Sequence, residues 1–81
     1  MDIKLKSTIK LNNNGSLYDQ ENGNSYVFNQ VGSEILHMLQ EDRDENFIID
    51  NISQKYNVDR YMVISDFEDF IYMLNKFKLT L

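Results

Sequence analysis

Eighty-one residues make one small domain, and hydrophobic residues at 42% with aromatics at 12% suffice for a single modest core. The absence of cysteine excludes a disulfide staple or a thiolate metal site, and the absence of proline, with only three glycines, argues against a long flexible linker. The formal net charge of −5 is concentrated in the middle, where Glu34, Glu41, Asp42, Asp44, Glu45 and Asp50 face only Arg43; that distribution argues against nucleic acid as a partner.

The first predicted element is a strand over Ile3–Leu11. Ile3, Leu5, Ile9 and Leu11 alternate with Lys4, Lys6, Thr8 and Lys10, giving a half-buried strand, whole or broken, with a lysine-rich outer face. Asn12-Asn13-Asn14-Gly15 reads as a turn, and Leu17-Tyr18 begins a second strand. Asn22-Gly23 is the strongest hairpin signal in the chain and leads into a third strand, Ser25–Phe28. Tyr26 and Phe28 share one face of it, preferred as the inner one, and Ser25 and Val27 share the other.

That third strand runs straight through Asn29 into a helix carrying Val31, Ile35, Met38 and Leu39 at helical spacing, with Asn29 as its N-cap. The helix is expected to end near Gln40–Asp42. Asp44 or Asn46 then caps a second helix that turns Ile48 or Ile49, Ile52 and Tyr56 inward. Asn57-Val58-Asp59 is a tight connection, and Asp59 caps a third helix over about Arg60–Lys76. On this last helix Ile64, Ile71, Phe67, Leu74, Val63, Phe70 and Phe77 fill an arc of about 140°. Met62, Asp66 and Met73 lie just beyond its Phe70–Phe77 side. Either the whole arc is consumed by the core, or one flank remains as an apolar contact surface. The expected fold is α+β, a three-stranded antiparallel sheet followed by three helices, in a winged helix-turn-helix-like arrangement over residues 1–81.

Little in the chain can carry chemistry. His37 is the only histidine and has no cysteine beside it, a poor basis for a metal site. Asp66, Glu68 and Asp69 diverge around their helix, the serines lack a triad partner other than His37, and the glycines at 15, 23 and 32 are too scattered for a phosphate loop. No catalytic residue, metal or cofactor is expected. No apolar run reaches membrane-spanning length and no signal-peptide segment follows Met1, so the expected compartment is the cytoplasm, without a membrane partner. A binding module remains. If the third strand is the last of its sheet, its free edge can accept a strand from another chain. The alternative is a small winged-helix transcription regulator or protein-interaction domain, but Asp66, Glu68 and Asp69 would turn the wrong charge toward DNA phosphates.

Leu17-Tyr18-Asp19, Asn22-Gly23, Tyr26, Phe28-Asn29, Gly32 and Ile35-Leu36 with Leu39 resemble, in order and spacing, the motifs of PqqD-like proteins. Ile49, Ile52, Tyr56-Asn57-Val58-Asp59 and Asp66–Leu74 continue that resemblance. Four departures stand out: Leu36 and His37 where some relatives carry tryptophan, Asn57 where glycine is common, Glu41-Asp42-Arg43-Asp44 in place of Asp-Gly, and Lys76-Phe77-Lys78-Leu79 in place of Arg-Gly-Leu-Leu. The resemblance implies a recognition element for ribosomally synthesised, post-translationally modified peptides. Such an element holds the leader region of a precursor peptide as an added strand. It delivers that leader to a separate modifying enzyme, a radical SAM protein or, in lasso-peptide pathways, a leader peptidase. By motif match the peptide edge would be Ser25, Tyr26, Val27 and Phe28, with a helical wall drawn from Val63, Asp66, Phe67, Phe70, Met73 and Leu74. Pockets formed by Val27, Phe67 and Phe70 would then select apolar leader residues.

Overall fold

Two Asn-Gly turns fold the first third of the chain into a meander. Gly15 and Gly23 both sit at positive φ, +86° and +77°, where residues with a Cβ are strained. In the computed structural model, which describes residues 3–81, the turns separate strands β1 (Ile9–Leu11), β2 (Ser16–Asp19) and β3 (Ser25–Val27). The sheet is antiparallel with order β1-β2-β3, so β3 is an edge strand. Helices α1 (Gln30–Gln40), α2 (Glu45–Tyr56) and α3 (Arg60–Lys76) follow. The α+β order is the expected one, and α3 has the expected bounds.

Each helix begins on a side-chain cap that satisfies a free backbone N–H. Asn29 Oδ1 accepts from Gly32 N at 2.8 Å, Asp44 Oδ1 from Phe47 N at 2.8 Å, and Asp59 Oδ1 from Tyr61 N at 2.9 Å. Leu36, Leu39, Ile48, Ile49, Ile52, Phe67 and Leu74 from the helices meet Ile9 and Leu17 from the sheet in one buried cluster.

The first strand is shorter than its alternation predicts. Its partner β2 ends at Asp19, opposite Ile9, and the chain then turns, so residues before Thr8 have nothing to pair with in the sheet. Ile9 N donates back to Lys6 O at 3.2 Å, closing a tight turn over Ser7 and Thr8. Residues 4–6 pair instead with the end of the chain: Leu5 bridges Thr80, Lys6 N donates to Leu79 O at 3.1 Å, and Leu81 N donates to Lys4 O at 2.9 Å. Thr8 also leaves the outer face, and its hydroxyl donates to the buried Asp19 carboxylate at 2.9 Å.

Candidate functional site

The register Leu17↔Tyr26 decides which backbone groups of β3 are free. On either side of that pair, Asp19 N donates to Asn24 O and Phe28 N donates to Gly15 O, both at 2.9 Å. Antiparallel strands exchange hydrogen bonds at alternate residues. Tyr26 therefore spends its main-chain groups on β2, as do the Asn24 C=O and the Phe28 N–H, while Asn24 N donates to Asn22 Oδ1; Ser25 and Val27 turn theirs outward. The edge thus offers two N–H and two C=O groups in line, the spacing that an added strand needs. The opposite edge is not equivalent, because the outward N–H of Ile9 is already used by Lys6 O in the chain's own turn.

Beside this edge stands α3. Tyr26 and Phe28 point inward as preferred, and their rings rest on its flank. Phe28 meets Phe70 edge-on with centroids 5.7 Å apart, and Tyr26 meets Phe77 at 5.4 Å. β3 and α3 consequently run in opposite directions. Gly32 permits this approach: a Cβ there would lie 3.2 Å from Phe70 Cε1 and 3.3 Å from Phe28 Cβ. Past Phe70 the groove opens into an apolar depression of 220 Å³ between the three helices, with Val31, Ile35, Val58, Val63 and Phe67 in its lining and Asp66 on its rim.

The predicted residues divide into three groups. Ser25 and Val27 present the open backbone edge; Phe70 and Met73 are half-buried on the flank facing it, with Asp66 exposed there. Val63 and Phe67 belong to the core but line the depression. Leu74 does not reach the surface, with 0% exposure, because the core cluster encloses it; as a wall residue it is a correction. So is the pocket joining Val27 to Phe67 and Phe70. Val27 is 82% exposed on the outer face of the sheet, opposite to the face that meets α3, since neighbouring strand residues alternate sides. Its contribution is its backbone. Phe77, Gly32 and Val31 also shape the groove and the depression, and the sequence does not single them out for it. Phe77 lay on the apolar arc of α3, whereas Gly32 carried no signal separating a close approach from an ordinary helical glycine.

Residues 14–79 match the profile of coenzyme PQQ synthesis protein D (PqqD). The chain belongs to the PqqD family. No curated protein sequence matches it. Among solved structures it is similar to TbiB1 in complex with the TbiA(beta) leader peptide, at 28% identity and a TM-score of 0.86, covering 95% of this chain and 93% of that one. It shares its fold with a lasso peptide synthetase B1 complexed with the leader peptide, at 18% identity and a TM-score of 0.86, covering 100% of this chain and 99% of that one.

Three of the four departures from the PqqD pattern fall where helices end, and Leu36 and His37 lie inside α1. Asp42, Asn57 and Lys78 have φ of +60°, +53° and +59°, the left-handed conformation that glycine adopts without strain. The turns form nonetheless. After α3, Lys78 N donates to Asn75 O and Leu79 N to Leu74 O, both at 3.0 Å, and this carries Leu79 into the core. After α1, Asp42 N and Arg43 N close the same pair of bonds onto Leu39 O and Met38 O.

One polar cluster ties α1 to α2 behind the groove. Glu34 accepts from Lys55 Nζ at 2.6 Å and from the Tyr56 hydroxyl at 3.0 Å. Partial burial works to raise the Glu34 pKa, but the bonds from Lys55, Tyr56 and Gln30 outweigh it and leave the carboxyl below its usual value. The bond to Glu34 raises Lys55; Tyr56 is raised by burial and by that same carboxylate. Among the described residues no group of acidic or histidine side chains is arranged to hold a metal ion, and no helix is long and apolar enough to cross a membrane.

Proposed function

We propose that this chain is a non-catalytic peptide carrier. It binds the leader region of a ribosomally made precursor peptide as a fourth strand on β3, beside α3, and presents it to a separate modifying enzyme. The observation that carries the reading is the outward main-chain edge of Ser25 and Val27 against the apolar flank of Phe70 and Met73. Membership of the PqqD family supports it, as does the likeness to TbiB1, which was solved with a leader peptide bound.

The physics divides affinity between two sources. Each main-chain bond contributes about 1 kcal/mol net, so the four groups of Ser25 and Val27 supply a few kcal/mol without regard to sequence. Association itself costs at least about 4 kcal/mol. Binding at tens of micromolar, about −6 kcal/mol, therefore requires leader side chains to bury apolar surface on the α3 flank and in the depression beyond Phe70. Alternate residues of the added strand face that wall, and the others lie with Val27 on the outer face of the sheet. The enzyme served is a radical SAM protein or a leader peptidase, and the compartment is the cytoplasm, where ribosomal precursors are made. The exposed acids Asp66, Glu68 and Asp69 on α3 disfavour a DNA-reading helix.

The test is a calorimetric titration with the leader of a precursor peptide sought among the genes neighbouring this one. Saturable binding at tens of micromolar or tighter is expected, with the amides of Ser25 and Val27 shifting in an NMR titration. Absence of saturation refutes the proposal.

A further inference from the structure

Main-chain bonds alone do not fix the register or direction of an added strand, because every residue offers the same N–H and C=O. The charges along α3 provide what the backbone lacks. From residue 61 to residue 75 the helix carries Asp66, Glu68 and Asp69 and no lysine or arginine. None of these acids takes part in an ion pair among the described residues. Helical phase sets Asp66 and Asp69 toward the flank of Phe70 and Met73 and Glu68 away from it. Asp66 is the only charged residue lining the apolar depression. At the far end of the wall, Lys76 and Lys78 bracket Phe77, whose ring packs on Tyr26. Because Phe28 lies by Phe70 and Tyr26 by Phe77, the groove is negative at its Phe28 end and positive at its Tyr26 end.

Resting on the leader-binding reading above, we infer that the bound segment carries a basic residue at the Phe28 end of the groove. There it meets Asp66 and Asp69, with an apolar residue two positions away on the same face of the added strand. This pairing sets register and direction. The same basic residue moved to the Tyr26 end meets Lys76 and Lys78 and is rejected, an arrangement that discriminates by repulsion as well as attraction.

The probe is the fluorescein-labelled leader used in that titration, read by anisotropy at about 50 mM and about 500 mM salt. If the unaltered pair does not bind, the carrier function itself fails. If it binds, Asp66→Asn should weaken it by about fivefold and Asp66→Lys by about twentyfold, since a rim charge acts mainly through long-range attraction. Salt should weaken the native pair more than it weakens Asp66→Asn, which keeps Asp69 alone. Replacing the leader's basic residue with glutamate should restore binding to Asp66→Lys. Asp66 is exposed, so these variants are expected to fold, which their circular dichroism checks. Equal affinity of all three proteins, indifference to salt, or a leader that binds without any lysine or arginine overturns the inference.

Discussion

Proline at two adjacent positions of β3 should have opposite consequences. Val27 turns its N–H away from β2, so Val27→Pro deletes no bond of the native sheet, and edge strands tolerate proline where the N–H faces solvent. Its side chain is 82% exposed, so little packing is lost. We expect a stability change within about 1 kcal/mol, and a loss of one docking bond that weakens leader binding by about 1 kcal/mol, roughly fivefold. Tyr26→Pro removes a ladder bond to Leu17 and strips the ring that packs on Phe77 at 5.4 Å. It should cost about 3 kcal/mol or more, a fall in Tm on the order of 12–24 °C for a domain of this size. Urea unfolding followed by circular dichroism measures the first quantity, and calorimetric titration of the leader the second. If Val27→Pro unfolds the domain while Tyr26→Pro does not, the hydrogen-bond phase of β3 is the reverse of that described. If Val27→Pro folds and binds the leader at full affinity, the leader does not use this edge.

Three further outcomes are expected. Lys78→Gly should raise stability by roughly 0.5 kcal/mol, since relief of the left-handed strain of about 1 kcal/mol is only partly offset by glycine's added unfolded-state freedom; an unchanged or lower urea midpoint counts against it. Asp19→Ala should destabilise by about 1–3 kcal/mol, because the carboxylate is fully buried and holds both the Thr8 hydroxyl and Glu21 N, at 2.9 and 3.0 Å; unfolding midpoints would reveal a smaller effect. The Glu34–Lys55 pair fixes two limbs of the stability–pH curve. Glu34 is lowered in the folded state, so its contribution is present above the ordinary value of 4.5 and disappears as pH falls through the folded pKa. Lys55 is raised, so its contribution is full below 10.5 and disappears as pH rises through its folded pKa. Glu34→Gln should flatten both limbs in urea unfolding across pH, the acid one by less than about 1 kcal/mol because the pair is partly exposed.

What could be read in advance follows from the range of the forces involved. Caps are local, so Asn29 and Asp59 mark their helix starts directly, whereas Asp44 and Asn46 both fit the second start and the structure uses Asp44. The bounds of α3 followed from its cap and its unbroken apolar period. The interruption of β1 was less accessible: alternation through Ile3–Leu11 is genuine, but where the strand stops depends on β2 ending at Asp19 and on the C-terminal residues capturing residues 4–6. Leu74 illustrates the same limit on α3, since an apolar arc does not say which of its members the core consumes.

Both ends of the sheet are edges by topology, and alternation alone marks either as able to accept a strand. Only the pairing register separates them. On β1 the break over Ser7 and Thr8 folds Lys6 O onto the outward N–H of Ile9, and Lys10 stands on the exposed face. On β3 the Leu17↔Tyr26 pairing leaves Ser25 and Val27 outward, and Gly32 lets α3 approach closely enough for Phe28 to rest on Phe70. An incoming strand would thus find its backbone bonds and its apolar wall together on the β3 side, which is why the proposed docking edge is β3.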